Sequence, residues 1–124
     1  MIALLRSIAA VLIGYVLFAA PSFAIFRITG RDPHAPAAFS FMALSTLGGM
    51  VFAGIGGFVA SAIAGRRPIA HALATALLLA AGATTSLVQT LDQRGAIWSQ
   101  VAALALMAPS AVAGGWLLSR RQAT

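Results

Sequence analysis

From Phe39 to Gly65 the chain carries no Asp, Glu, Lys or Arg, and the stretches 7–26, 69–91 and 96–119 are equally free of them. About 20 apolar residues in a helix cross the hydrocarbon core of a bilayer. Inside lipid the backbone has no water to bond, so only helices and closed barrels are viable there. Four such stretches in 124 residues predict an all-α fold, a transmembrane four-helix bundle built as two helical hairpins, within a single integral membrane domain spanning 1–124. Charged residues make up 8% of the chain, against roughly a quarter in a soluble domain, which is too few to clothe a water-facing surface.

Within the second stretch, Ser45, Gly49, Ala53, Gly57, Ser61 and Gly65 recur at every fourth position. That spacing lays a ridge of small side chains along one helix face, where another backbone can approach closely. The glycine-zipper ridge therefore predicts packing against another helix of the same chain or of a second copy, with a homo-oligomer or another membrane protein as possible partner.

The connections follow from the helix breakers. Residues 27–38 hold Gly30, Pro33 and Pro36 and read as a longer outer loop. Gly65-Arg66-Arg67-Pro68 reads as a tight turn, with glycine closing one helix and proline opening the next. Asp92-Gln93-Arg94-Gly95 is the second tight turn. Pro21 frees a carbonyl one turn back and bends the first span, and Pro109 beside Ser110 kinks the fourth. Trp98 and Trp116 are spaced for the two aromatic belts, and Phe39 and Phe41 for one lipid boundary.

All eight basic residues are arginines, and the formal net charge is +6. They flank the apolar stretches and form no basic face, which argues against a nucleic-acid partner and for topology signals beside a lipid bilayer. Arg6, Arg66, Arg67, Arg120 and Arg121 fall on one side, and Arg27, Arg31 and Arg94 on the other. The positive-inside bias then puts both termini in the cytoplasm. Arg6, the following apolar run and Ser22-Phe23-Ala24 also fit a secretory signal with a small-x-small cut. The apolar residues before Arg6, and the run continuing through Ile25 and Phe26, favour a retained span.

Chemistry is sparse. Asp32 and Asp92 sit in predicted loops, so no acid lies within a span to couple transport to protons. His34 and His71 fall on opposite sides, which leaves no metal cluster, and the absence of cysteine removes thiol chemistry and thiolate metal ligands. No catalytic, cofactor-binding or metal-binding residue is predicted, and the chain does not read as an enzyme. His71 is expected among headgroups beside Arg66 and Arg67. The uncharged polar residues Thr84, Thr85, Ser86, Gln89 and Gln100, with Ser22, Ser45, Thr46 and Ser99, collect in the outer halves of their helices. They define a possible outward-facing polar cavity, against the simpler alternative that each hydroxyl bonds a carbonyl of the preceding turn.

Gly56-Gly57-Phe58-Val59-Ala60-Ser61, Ala64-Gly65-Arg66-Arg67-Pro68 and His71-Ala72 together resemble a pattern in a family of small, uncharacterised bacterial membrane proteins with four predicted helices. The resemblance implies a bacterial cytoplasmic (inner) membrane location and carries over no catalytic residue. The resulting expectation is a structural or accessory membrane component, the alternative being a small pore or carrier for neutral solutes.

Overall fold

The computed structural model describes residues 2–31, 38–92 and 97–123. Asp32, His34 and the turn at Gln93–Gly95 lie outside the described residues. Helix α1 covers Ile2–Thr29, α2 Phe39–Ala64 and α3 Pro68–Asp92. The fourth span is made of α4 (Trp98–Ala102), a π turn (Ala103–Met107) and α5 (Ala108–Ala123). Four helices, Ile2–Thr29, Phe39–Ala64, Pro68–Leu91 and Trp98–Gln122, are long and apolar enough to cross a membrane. The architecture is the all-α four-helix bundle expected from the sequence.

The bundle is organised around α2, which packs against α1, α3 and α5, while α1 and the fourth span face each other across the assembly without close backbone approach among the described residues. Two faces of α2 make these seams. On one, Gly49, Ala53, Gly57 and Ser61 are buried against the fourth span. A Cβ on Gly57 would overlap the Ala111 carbonyl, one on Gly49 would strike Met107, and one on Gly114 would overlap the Gly54 carbonyl. On the other face Gly56 meets Gly14 of α1, where an added Cβ on Gly14 would lie 2.6 Å from the Gly56 oxygen and 2.8 Å from the Ala60 methyl. The ridge is thus filled from within the chain. The second small face has its complement in Ala10 and Gly14 of α1, and the first has its own in Ala111, Gly114 and Gly115 of the fourth span; both complements repeat small residues at the same spacing.

Two details depart from the expected helix ends. The first helix is longer than 7–26 at both ends, since nothing between Ile2 and Thr29 forbids helical backbone at its boundaries and Pro21 is carried inside it. Gly65 leaves the ridge: it caps α2 at φ +71°, donating its N–H to the Ser61 carbonyl at 3.1 Å, and is exposed. A left-handed cap is the conformation glycine adopts without a Cβ penalty. Arg67 follows at φ +43°, a conformation that costs a non-glycine residue about 1–2 kcal/mol. The turn is tied by Ser61, whose hydroxyl lies 2.8 Å from the Gly57 carbonyl and 2.6 Å from the Pro68 carbonyl.

The kink expected near Pro109 takes the form of the π turn. Proline cannot donate to the carbonyl four residues back, and its ring crowds that carbonyl. Widening the preceding turn relieves the crowding, and the Ala108 N–H accordingly bonds the Ala103 carbonyl, five residues back. Ser110 Oγ donates to the Leu106 carbonyl at 2.7 Å, supplying side-chain capacity beside the break.

Large apolar side chains cover the outside: Leu44, Leu47, Val51 and Ile55 form an exposed stripe on α2. In lipid such a stripe is matched by its surroundings. Near the end where α2 begins, Phe26, Phe41 and Trp98 close into a trio with ring centroids 5.7, 6.0 and 6.2 Å apart, and the Arg31 guanidinium sits 4.3 Å from the Phe41 ring centre. Phe39 stays outside, 83% exposed. Trp116, at the other end, is half exposed beneath Arg120.

Candidate functional site

Because α1 and the fourth span do not meet backbone to backbone, a gap remains between them, floored by α3. It is a cavity of about 160 Å³. Tyr15, Phe18 and Ser22 line it from α1, Leu79, Gly82 and Ser86 from α3, and Ser99, Gln100 and Met107 from the fourth span. Its walls are mostly apolar. The polar groups Ser22, Ser86, Ser99 and Gln100 gather toward the end capped by the aromatic trio.

Gln100 anchors that polar end. It is 4% exposed, and its amide donates to Ser86 Oγ at 2.9 Å and to Thr90 Oγ1 at 3.2 Å, while its carbonyl oxygen accepts from Ser99 Oγ at 3.1 Å. Thr90 Oγ1 in turn donates to the Ser86 carbonyl at 2.7 Å. A buried primary amide is costly unless bonded, and this network fixes the approach of the fourth span to α3.

Of the five residues predicted for a polar cavity, the structure brings only Ser86 and Gln100 together. Thr84, Thr85 and Gln89 are exposed on the outside of α3, and Thr85 Oγ1 donates to the Ala81 carbonyl at 2.9 Å. Helical geometry explains the division. Ser86 and Thr90 are four apart and share an inward face, whereas Thr85 and Gln89 form the neighbouring row about 100° away. Ser22 and Ser45 also bond preceding carbonyls.

Tyr15 is the one tyrosine of the chain and sits in the middle of α1, and only its being a lone phenol in an apolar span marks it in the sequence. Its hydroxyl lies 2.9 Å from where a Cβ on Gly82 would stand, so glycine at 82 makes the room it occupies. Half-buried at the cavity wall, this hydroxyl has no hydrogen bond among the described residues. Counting about 1.5 Å per residue, Tyr15 stands roughly 20 Å from either end of α1, near the depth where neither water nor headgroups supply an acceptor.

At the opposite end of the bundle the arginines Arg6, Arg66, Arg67, Arg120 and Arg121 collect, since α1 and α3 begin and α2 and α5 end there. Arg6 Nε donates to the Ile63 carbonyl. His71, expected among headgroups, is instead buried at 8% exposure, because its ring turns from the first turn of α3 toward α1. Its Nδ1 lies 3.0 Å from the Arg67 carbonyl and its Nε2 2.9 Å from Ser7 Oγ. A carbonyl only accepts, so Nδ1 carries the hydrogen and Nε2 of the neutral ring accepts from the Ser7 hydroxyl. Arg66 Nη2 reaches the same serine oxygen at 3.5 Å. No group of three or more His, Cys, Asp or Glu that could hold a metal occurs among the described residues.

Four apolar, antiparallel spanning helices around small-residue seams define a multi-pass membrane protein. Compared with protein-family models, curated proteins and solved structures, the chain finds no match.

Proposed function

We propose that the chain is a structural or accessory component of a bacterial cytoplasmic membrane, oriented with both ends in the cytoplasm. The observation that carries this reading is the double clamping of α2. Backbone-close seams on two of its faces occupy the middle of the bundle, which favours a fixed unit presenting its outer faces over one that opens and closes. Exposed stripes such as Leu44, Leu47, Val51 and Ile55 are then available to lipid or to another membrane protein, a second copy included. The five-arginine end supports the orientation through the positive-inside bias. Purification from native membranes after in-cell cross-linking tests the reading. A stoichiometric membrane partner or a second copy is the expected result, and a chain that purifies alone and conducts neutral solutes in liposomes overturns it.

A second reading, binding or carriage of a neutral, largely apolar solute, is favoured by the Tyr15 hydroxyl facing the cavity at mid-membrane depth. A ligand with an acceptor oxygen would satisfy it. Flux or binding lost in Tyr15→Phe, with unchanged melting, would favour this reading over the first.

A further inference from the structure

The end of the bundle that gathers five arginines also carries a groove between α1 and α3, with a volume of about 390 Å³. Its polar head is made by Ser7, Arg66, Arg67 and His71. Toward the middle of the membrane it becomes wholly apolar, floored by Ile8 and Leu12 of α1 and by the small side chains Ala70 and Ala74 of α3. The two alanines give the groove its depth, while Ile8 and Leu12 are about half exposed to lipid. We propose that this groove seats one anionic phospholipid, its phosphate on the Arg66 and Arg67 guanidiniums, and one acyl chain along the alanine floor.

Three observations favour that occupant. The layout of the groove along the membrane normal is that of a phospholipid, charged at the surface and apolar below. The charge is complementary and unopposed by acid: Asp92 ends the far end of α3, and Asp32 follows the far end of α1 in the sequence. The head is also organised in advance. His71 is held by the Arg67 carbonyl and takes the Ser7 hydroxyl hydrogen, leaving the Ser7 oxygen to accept from Arg66 Nη2, and the turn fixes Arg67 in a left-handed backbone conformation, so little ordering is left to occur on binding. The other doublet at this end, Arg120-Arg121, is an internal comparison. Arg120 lies over the Trp116 ring at 5.2 Å, and the groove beside it is lined by Phe58 and Leu117 without a hydroxyl or imidazole.

The test uses the full chain in detergent, with native mass spectrometry reading retained lipid after titration with phosphatidylglycerol or phosphatidylcholine. Phosphatidylglycerol should be retained as a single copy in clear preference to phosphatidylcholine. The double substitution Arg66→Gln/Arg67→Gln should lower its retention by roughly tenfold, whereas Arg120→Gln/Arg121→Gln, which removes the same charge, should change it less than about twofold. Ala74→Phe, with every arginine in place, should also abolish retention by filling the floor, which guards against a folding defect in the arginine variant. Equal loss from the two doublets, equal retention of the two lipids, or full retention in Ala74→Phe would overturn the proposal. So would complete displacement of the lipid by millimolar inorganic phosphate, which would make the site one for free phosphate.

Discussion

Gly57 of α2 and Ala111 of α5 meet backbone to backbone, with the Ala111 carbonyl oxygen in the space a side chain on Gly57 would need. Because the obstacle is main chain, no rotamer change relieves it. Gly57→Ala should destabilise the bundle by about 1–3 kcal/mol, and Gly57→Leu should prevent the fourth span from docking. Gly48→Ala supplies the contrast, since the nearest atom to its new methyl is the Ile25 Cδ1 at 3.7 Å. It should be neutral or stabilising by up to about 1 kcal/mol through helix propensity. Unfolding in mixed micelles by titration with a denaturing detergent measures both.

Gly65→Ala should cost about 1–2 kcal/mol, because the α2 cap holds this residue at φ +71°. The same assay measures it. An equal cost for Gly30→Ala would be uninformative about the bundle, since an added Cβ there meets nothing and only its φ of +69° is at stake.

Gln100→Leu removes two donors from Ser86 and Thr90 and one acceptor from Ser99. Interhelical hydrogen bonds in membranes average about 0.6 kcal/mol, so the loss should be about 1–2 kcal/mol. Tyr15→Phe should leave stability unchanged, because no hydrogen bond among the described residues is lost. Side-by-side melting curves separate the two; an equal drop in both would mean that the Tyr15 hydroxyl has a structural partner.

Trp98→Ala opens the aromatic trio and removes its contacts with Phe26 and Phe41. At about 0.5–1.5 kcal/mol for each pair, the melting midpoint should fall clearly, whereas Phe39→Ala, 83% exposed, should leave it where it is.

Much of this fold is legible in the residues themselves. The four charge-free stretches, the Gly65 to Pro68 turn and the small-residue face of α2 follow from the needs of a backbone in lipid. What the sequence leaves open is which row of a helix faces which neighbour. A polar cluster such as Thr84, Thr85 and Ser86 spans most of the helix circumference, and only the position of α1 and the fourth span decides that Ser86 turns inward while its neighbours turn out. His71 illustrates the same limit: its place in the first turn of α3 says nothing of the Ser7 hydroxyl that receives it. The π turn was readable as a disturbance at Pro109 but not as a widened turn, because sterics permit several ways of clearing the proline ring.

Synthesis from the amino end gives the two seams of α2 different histories. A ribosome that has delivered residues through 92 has already released Gly14 and Gly56, so the α1 seam can close early. The strip of Gly49, Ala53 and Gly57 must wait uncovered until residues 107 to 114 are inserted. During that interval the strip is open to a helix with matching small residues, and another nascent copy offers the same one. Crowded expression should therefore trade closed monomers for dimers that have exchanged their fourth span, identical in their contacts and different only in which chain supplies them.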